Sequence, residues 1–411
     1  MLRIGNSSLL SPYEAFRLSL SSPRCSLNAI RDRVSRQKPL RFPRRIILHL
    51  ANRCNFACPM CSIGAARAER QKEHRGDALW EVVEKTITEA AQYGCYVEFS
   101  SGEPTLYGRL SDTISLLTKY RLPSYITTNG FNLKKRAREL VDSGLKVLLV
   151  SMDGWDEESS YQRGLVPGSF DAIREGIAEV NRIRRGIFPI IRIGSAITKA
   201  NYRDFDRIAD AVYEMGVRRW LIQNYFFSTD DVMAAHRQMK AETGIGDQVM
   251  MHHIPNTDSY FDRSEILELQ SSLARTREKL RTKFRDMRVD FNWDLDLNAY
   301  YSSRRPAKSS SCAMPFNRID VFTDGKIGSC GDGHAIGNVM TGSIYEAWNG
   351  PERAALISLL DKERILPMCF RCCGIIPGLK FDETSTPYPR ASLADSRGHE
   401  ALVQLPALSK S

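Results

Sequence analysis

The chain of 411 residues is long enough for two or three domains with real cores, and 42% hydrophobic with 26% charged residues are ordinary globular values. No stretch approaches about 18 consecutive apolar residues, so the sequence predicts no membrane-spanning helix. The formal net charge of +10 is concentrated at the amino terminus, where residues 1–45 hold ten basic side chains against two acidic ones.

The first 44 residues combine this positive charge with apolar side chains. A serine- and arginine-rich, acid-poor start is typical of a transit peptide, and it would also suit an arm that binds nucleic acid. Apolar residues nevertheless recur throughout, from Leu9 to Ile30. We therefore predict a basic helical segment that covers the start of the next domain, and we expect no nucleic-acid partner.

From residue 45 to residue 227, short apolar strands alternate with amphipathic helices. The predicted strands are Ile46–Leu50, Tyr96–Phe99, Tyr125–Thr128, Val147–Ser151, Pro189–Ile197 and Trp220–Asn224. The predicted helices lie near residues 79–92, 109–120, 132–143, 169–184 and 202–215. Strands that alternate with helices at this spacing form parallel βα units. Six such units predict the α/β class and a partial (β/α)6 TIM-type barrel, in which ligands bind at the carboxyl ends of the strands.

Three cysteines follow the first predicted strand. Cys54, Cys58 and Cys61 have the spacing C-x3-C-x2-C, with Pro59 inside the motif. Three thiolates on one loop can bind three irons of a [4Fe–4S] cube, which takes four ligands, so one iron stays open for chemistry. A zinc knuckle that lacks one ligand and a set of three buried core cysteines are the alternatives.

The stretch from Asn52 to Ser62 resembles the cluster-binding loop of the radical S-adenosylmethionine (SAM) superfamily. The resemblance implies that the three cysteines are catalytic and that the open iron binds the amino and carboxylate groups of SAM. It also implies the reaction, in which one electron from the cube splits the sulfonium and a 5′-deoxyadenosyl radical takes a hydrogen atom from the substrate. Met60 stands where the family usually has an aromatic residue, and its polarizable thioether can still pack on a cluster.

Two further strand ends carry candidate SAM ligands. Gly102 would let the backbone approach a ligand, and the carboxylate of Glu103 could accept from an ammonium. These residues resemble the Gly-Gly-Glu-Pro segment of the family, with Ser101 in place of the first glycine. Ser151 and Arg163 supply a hydroxyl and a guanidinium, which suit a carboxylate or a ribose, and their segment also resembles one in which related enzymes hold SAM. A simple turn and a solvated arginine are the structural alternatives.

Residues 228–311 interrupt the alternation. Asp262 and Glu265 are placed as a capping box before an apolar stripe at helical spacing. Apolar and polar residues then alternate over 289–298, which predicts a half-buried strand. We expect a linker or insertion that contains both a helix and a strand.

A second set of cysteines begins at Cys312. Cys330 ends a predicted hairpin that turns at Asp324-Gly325, and Cys369 and Cys372 form a C-x2-C pair. Four thiolates can close an iron–sulfur site or a zinc site. A thioredoxin-like redox role for the C-x2-C pair lacks the strand–helix context that such a role needs.

The order of these cysteines, with Gly337-Asn338-Val339 and Trp348 between them, resembles the SPASM/twitch extension of radical SAM enzymes. The resemblance implies one auxiliary [4Fe–4S] cluster held by the four cysteines, because a full SPASM domain continues with further spaced cysteines and here only Cys373 follows. Cys373 is then a spare or an alternative ligand. The predicted domains are the basic N-terminal segment 1–44, the core barrel 45–227, the linker or insertion 228–311, the auxiliary cluster domain 312–378 and the tail 379–411.

Together these features predict a radical SAM enzyme that acts on an unactivated C–H bond in biosynthesis. A fully ligated auxiliary cube has no open iron, so it suits electron transfer and hence an oxidation of the substrate. The 44 residues before the barrel are too few for a leader-binding domain, which favours a small metabolite such as a sugar or a cyclitol. The alternatives are the cross-linking, epimerisation or maturation of a peptide or protein, and a non-enzymatic iron–sulfur carrier or zinc scaffold.

The cysteines also indicate the cellular compartment and the protein partner of such an enzyme. Ten cysteines grouped in motifs fit metal binding in a reducing compartment, so we expect a cytoplasmic protein without a membrane partner. A reductant such as flavodoxin or ferredoxin is the expected protein partner, since the cluster needs an electron for each cleavage of SAM.

Overall fold

The computed structural model describes residues 12–34, 40–61, 76–227, 230–245, 261–302, 310, 314–329 and 335–372. Two helices come first, α1 (Pro12–Ser21) and α2 (Pro23–Val34). Glu14 of α1 forms an ion pair with Arg219, with 2.6 Å between the charged groups, and Arg24 of α2 donates to the carbonyl oxygen of Ala91 at 2.7 Å. These contacts place both helices at the amino-terminal ends of the strands that follow.

The described strands form one sheet of ten strands, in the order β10-β9-β8-β1-β2-β3-β4-β5-β6-β7. They are β1 (Arg45–Leu48), β2 (Tyr96–Phe99), β3 (Ser124–Thr128), β4 (Val147–Ser151), β5 (Ile190–Ile197), β6 (Arg219–Asn224), β7 (Arg288–Asp290), β8 (Arg318–Val321), β9 (Lys326–Gly328) and β10 (Ala335–Asn338). Neighbours from β8 to β7 pair in parallel, whereas β8–β9 and β9–β10 pair antiparallel. All six predicted strands are present, and the predicted class, a partial TIM-type α/β barrel with a carboxyl-terminal extension, is confirmed.

Helices cover one face of this sheet. The further helices are α3 (Trp80–Tyr93), α4 (Leu110–Lys119), α5 (Leu133–Asp142), α6 (Glu157–Gly164), α7 (Ser169–Ile183), α8 (Phe205–Glu214), α9 (Asp230–Thr243), α10 (Arg263–Thr282), α11 (Leu297–Ser302), α12 (Ile344–Asn349) and α13 (Pro351–Glu363). None of the described helices is long and apolar enough to cross a membrane.

The alternation of side chains along each strand divides the sheet into two faces. Leu148 and Val150 of β4 belong to the main core with the helices, and each such side chain contributes about 1.5–3 kcal/mol when fully buried. Leu149 lies between them and faces the other way. We call this second face the inner face, and its members include Ile47, Glu98, Tyr125, Leu149 and Arg192.

The predicted hairpin at Asp324-Gly325 is confirmed, with Gly325 at a φ of 83° and β8 antiparallel to β9. The sequence did not predict that this hairpin continues the sheet of the barrel. β8 lies parallel to β1, and beyond the end of β1 the Nε2 atom of His49 is 3.1 Å from Oδ1 of Asp320, both residues being buried. The barrel and the hairpin of the second cysteine set therefore share one hydrogen-bonded sheet.

The predicted capping box before α10 is also confirmed. The backbone N of Glu265 donates to Oδ1 of Asp262 at 2.9 Å, and the backbone N of Asp262 donates to Oε2 of Glu265 at 2.7 Å. Each bond satisfies a backbone donor that the first turn of the helix leaves free.

The predicted strand over 289–298 is wrong beyond Asp290, where β7 ends. Asn292 Oδ1 accepts from the backbone N–H two residues further on at 3.3 Å, and Asp296 Oδ1 accepts from the backbone N–H three residues further on at 2.9 Å. Such local bonds compete with the ladder of a sheet. The alternating polar residues thus form turns and begin α11, and they do not line a solvated strand face.

Candidate active site

The loop after β1 carries the first three cysteines at the carboxyl end of the sheet. The Cys54 thiol accepts from the backbone N of Phe56 at 3.4 Å, and the backbone N of Cys61 donates to the carbonyl oxygen of Cys58 at 3.1 Å. Phe322, which follows β8, contacts both Cys54 and Cys61. The three thiols therefore share one short, turned loop, and the hairpin formed by β8 and β9 contacts this loop through Phe322.

A neighbouring helix holds this loop from the other side. The backbone N of Ala57 donates to the carbonyl oxygen of Gly164, the last residue of α6, at 3.0 Å. A Cβ atom on Gly164 would lie 2.1 Å from the ring of Phe56, so the loop and the helix can meet this closely only at a glycine.

The surroundings of the thiols suit a positively charged group. The pKa of the Cys54 thiol is raised to about 11 and that of Cys58 to about 12, chiefly by burial, and the neighbouring thiols act in the same direction. Thiols with such values stay protonated at neutral pH unless a cation stabilises the thiolate, which iron does when it binds. The donor set therefore fits an iron–sulfur cluster.

The arrangement of the thiols also bears on the zinc alternative. Among the residues that the structure describes, no three His, Cys, Asp or Glu side chains are grouped so that they could hold a single metal ion. Cys54, Cys58 and Cys61 all lie within that part of the chain. The thiolates that bind a cube need not converge on one atom, because each of them binds a different iron atom. The arrangement of the three thiols at this loop is thus compatible with a cube.

Gly102 brings the loop after β2 against the cysteine loop. Its φ is 54°, and a Cβ atom there would lie 2.3 Å from the carbonyl oxygen of Ala51 and 2.5 Å from that of Arg53. The next residue, Glu103, donates its backbone N–H to the same carbonyl of Arg53 at 2.9 Å. The glycine is therefore required for close approach of the two loops, and its contact with SAM stays a prediction.

The Glu103 carboxylate, 1% exposed, joins the ends of two strands. Oε1 accepts from Thr105 N at 3.0 Å and from the hydroxyls of Thr105 and Thr128 at 2.6 Å each, and Oε2 accepts from Asn129 N at 2.7 Å. Burial raises the pKa of Glu103, and these donors oppose that rise. Oε1 already accepts three hydrogen bonds and Oε2 accepts one, so the amino group of SAM could donate only to Oε2. The binding of SAM by Glu103 stays a prediction.

Asn129 follows β3 in the stretch Thr127-Thr128-Asn129-Gly130, which resembles the family at its third strand but indicates no individual role for Asn129. Its Nδ2 donates to Oδ1 of Asn55 at 2.8 Å and lies 3.8 Å from the sulfur of Cys54. An amide donor at a cluster ligand tunes the thiolate by hydrogen bonding.

Arg163 lies on α6, a helix that the sequence analysis did not predict. The signal was present as a capping box, since Ser159 N donates to Oδ1 of Asp156 at 2.9 Å and Asp156 N donates to Oγ of Ser159 at 3.1 Å. The turns of α6 carry the guanidinium to Asp153, with which it forms an ion pair. Burial raises the pKa of Cys58, and the charge of Arg163 opposes that rise. Arg163 therefore lies at the edge of the cysteine loop.

Asp153 belongs to the run from Ser151 to Gly154 that resembles a SAM-holding segment of the family, but the sequence indicates no separate role for it. Its Oδ1 accepts from the backbone N of Ala196 at 2.7 Å, while Oδ2 accepts from Arg163. Nε of Arg163 is buried and has no hydrogen-bond partner in the described part of the chain. Ser151 is half-buried at the end of β4, close in sequence to Asp153. The predicted SAM ligands on β4 and α6 are thus brought to one edge of the sheet.

The structure describes two cysteines of the second set, Cys369 and Cys372. Cys369 and Cys372 are joined by a turn in which the backbone N of Cys372 donates to the carbonyl oxygen of Cys369 at 2.9 Å. Cys312, Cys330 and Cys373 lie outside the described residues. The four-cysteine site therefore stays a prediction, with one pair of its members brought together.

This pair is tied to the carboxyl end of the sixth strand. Arg371, between the two cysteines, donates from Nε to the carbonyl oxygen of Tyr300 at 3.0 Å. The Tyr300 hydroxyl donates to the carbonyl oxygen of Tyr225 at 2.9 Å, and Tyr225 follows β6 directly. The C-x2-C turn thus lies on the side of the barrel to which the first cysteine loop belongs.

Two family models match the chain. The model of the radical SAM superfamily matches residues 48–212, and that of the SPASM iron–sulfur cluster-binding domain matches residues 312–373. The first match contains Cys54, Cys58 and Cys61, and the second begins at Cys312 and ends at Cys373.

Curated relatives and solved structures agree with these matches. A probable GTP 3′,8-cyclase of Methanosarcina mazei is 25% identical over 69% of this chain and 76% of its own length. A tungsten-containing aldehyde ferredoxin oxidoreductase cofactor-modifying protein of Pyrococcus furiosus is 21% identical over 80% of this chain and 86% of its own. SuiB of Streptococcus suis, solved with its precursor peptide SuiA, is 16% identical and superposes with a TM-score of 0.56 over 91% of this chain and 81% of its own. That likeness is one of fold.

Proposed function

The chain belongs to the radical SAM superfamily of enzymes and carries a SPASM iron–sulfur domain, and from this premise we propose that it oxidises an unactivated carbon of a small metabolite. Its cofactors are SAM and [4Fe–4S] clusters. One observation supports the site on which this proposal depends, namely that the cysteine loop after β1, the glycine turn after β2 and the Arg163 helix meet at one edge of the barrel. This is the edge at which parallel sheets bind their ligands.

The cofactors supply the radical, and the protein supplies the site. A reduced cluster bound there would supply the electron that cleaves SAM, and SAM would supply the radical that takes a hydrogen atom from the substrate. The cysteine loop would hold three irons and leave the fourth open. Cys58 is buried in this loop, with 8% of its surface exposed, whereas Cys54 and Cys61 are half-buried.

The oxidation balances only if the substrate loses a second electron. A carbinol carbon that has given up one hydrogen atom becomes a carbonyl after the further loss of one electron and one proton. Cys312, Cys330, Cys369 and Cys372 would hold an oxidised [4Fe–4S] cube that can accept that electron. The tie from Arg371 through Tyr300 to the end of β6 supports a place for this cube near the barrel opening.

Arg163→Ala should weaken the binding of SAM by about 1.5–3 kcal/mol, the usual contribution of hydrogen bonds to charged groups, if Arg163 pairs with the methionine carboxylate. Iron content should not change, because the variant removes no thiol. Calorimetric titration of the reconstituted proteins with SAM measures the affinity of the wild type and that of the variant. Arg182→Ala, on the exposed face of α7, is the matched control. An affinity equal to that of the control would leave Arg163 as a structural partner of Asp153.

A peptide is the second candidate substrate, supported by the fold likeness to SuiB, which was solved with a precursor peptide. Extracts of cells grown on deuterated medium separate the two candidates. We expect deuterium in the 5′-deoxyadenosine formed with the small-molecule fraction of such an extract, since the abstracted hydrogen comes from the substrate. Deuterium transfer from the peptide fraction alone would replace the metabolite by a peptide, and transfer from neither fraction would contradict hydrogen abstraction.

A further inference from the structure

The inner face of the barrel carries polar side chains below the strand ends, and two of them, Glu98 and Arg192, are buried. Arg45 of β1 forms an ion pair with Glu98 of β2, and Tyr125 of β3 lies opposite Glu98 in the ladder. Arg192 of β5 is on the same face, because the residues on either side of it, Ile191 and Ile193, belong to the core under the helices. Its guanidinium carbon is 5.7 Å from the centre of the Tyr125 ring.

Arg192 differs from Arg45 in having no carboxylate partner within the described residues. It is 3% exposed, and its Nε has no hydrogen-bond partner in that part of the chain. Glu98 is already paired with Arg45. A buried guanidinium without an anion is costly, so natural proteins keep such groups where they have a use.

Gly194 and Leu149 lie between Arg192 and the carboxyl ends of the strands. Gly194, the next residue of β5 on the inner face, lies opposite Ser151, the predicted SAM ligand. The three heavy atoms nearest to a Cβ atom built on Gly194 all belong to the side chain of Leu149, the first at 3.3 Å. Two residues of a strand span about 7 Å, so Arg192 is about 7 Å below the level of Ser151. A ligand that enters from the strand ends would have to displace the buried side chain of Leu149 to reach Arg192.

We propose that Arg192 binds an oxyanion of the substrate, a carboxylate or a phosphate, at the floor of the barrel. The planar guanidinium fork matches the two oxygens of either group, and exclusion from water strengthens the contact. This inference rests on the proposed function in one respect, since it takes the inner face of the barrel as the substrate site. It narrows the substrate to an acid or a phosphate ester.

The test measures the binding of simple anions to reconstituted protein that is saturated with SAM. Phosphate and acetate are titrated separately against chloride at equal ionic strength, and both the dissociation constant and the melting temperature are recorded. We expect one of the two anions to bind and to raise the melting temperature, and its identity distinguishes a phosphate ester from a carboxylic acid. Arg192→Met should raise the dissociation constant at least tenfold, and Arg192→Lys should raise it less.

Arg182→Met removes one positive charge from the surface and should leave anion binding unchanged. In chloride alone, Arg192→Met should melt no lower than the wild type, because it removes a buried charge without a carboxylate partner. The proposal is overturned if neither anion binds the wild type, or if Arg192→Met binds as the wild type does. Formation of 5′-deoxyadenosine by the same wild-type preparation is recorded in parallel. Its absence would count against the proposed function, and its presence without anion binding would count against Arg192 alone.

Discussion

Replacing Cys54, Cys58 or Cys61 with alanine should remove about half of the iron from anaerobically reconstituted protein. The wild type should hold about eight iron atoms per chain, because two cubes carry four each, and each variant about four. The loss should be complete for the first cluster, since a cube with two protein thiolates and two open irons is poorly held. Cleavage of SAM should fall to background in all three variants.

Cys95→Ala is the matched control for this series. Cys95 is also a buried cysteine, but it precedes β2 at the opposite end of the strands and is expected to bind no metal. Its variant should keep about eight iron atoms and full cleavage of SAM. Full iron content in a Cys58→Ala protein would remove this loop as a cluster site. Stoichiometric zinc beside a single cluster would instead overturn the auxiliary cube.

The double variant Cys369→Ala, Cys372→Ala should separate the cleavage of SAM from the oxidation of the substrate. SAM should still be converted to 5′-deoxyadenosine, and deuterium should still pass to it from labelled substrate. Oxidised product should fall to background, because the substrate radical has lost the site that accepts its electron. The substrate for this assay is the compound that transfers deuterium in the extract experiment.

The control for this prediction shows that the double variant still has a folded barrel with its own cluster. The variant should keep about four iron atoms and the melting behaviour of the barrel, which shows that only the auxiliary site was removed. Formation of product at the wild-type rate would make the auxiliary site structural. A redox-neutral reaction, such as an epimerisation or a rearrangement, would then replace oxidation.

Local features of the fold could be predicted from the sequence. Buried β strands read as short β-branched runs, and the capping box at Asp262 and the turn at Asp324-Gly325 depend on neighbours in the chain. The cysteine loop could also be predicted, because the C-x3-C-x2-C spacing that indicates a cluster is a local feature of the chain. The stretch over 289–298 misled because its Asn and Asp residues fit both a solvated strand face and a series of turns.

Features that depend on distant residues could not be predicted. The pairing of β8 with β1 joins segments more than 270 residues apart, and no local pattern specifies it. The partners of Glu103 and Arg163 also come from other strands and turns. That Arg192 lacks a carboxylate could be known only once the ladder had paired Glu98 with Arg45.

The reaction of the reduced wild-type protein with SAM tests the assignment most directly. Protein that contains about eight iron atoms is reduced with dithionite without substrate, and the products from SAM are quantified. We predict 5′-deoxyadenosine and methionine in equal amounts, since one electron at the open iron breaks the bond between sulfur and the 5′ carbon. Fully loaded protein that forms neither product would contradict a radical SAM site at Cys54, Cys58 and Cys61.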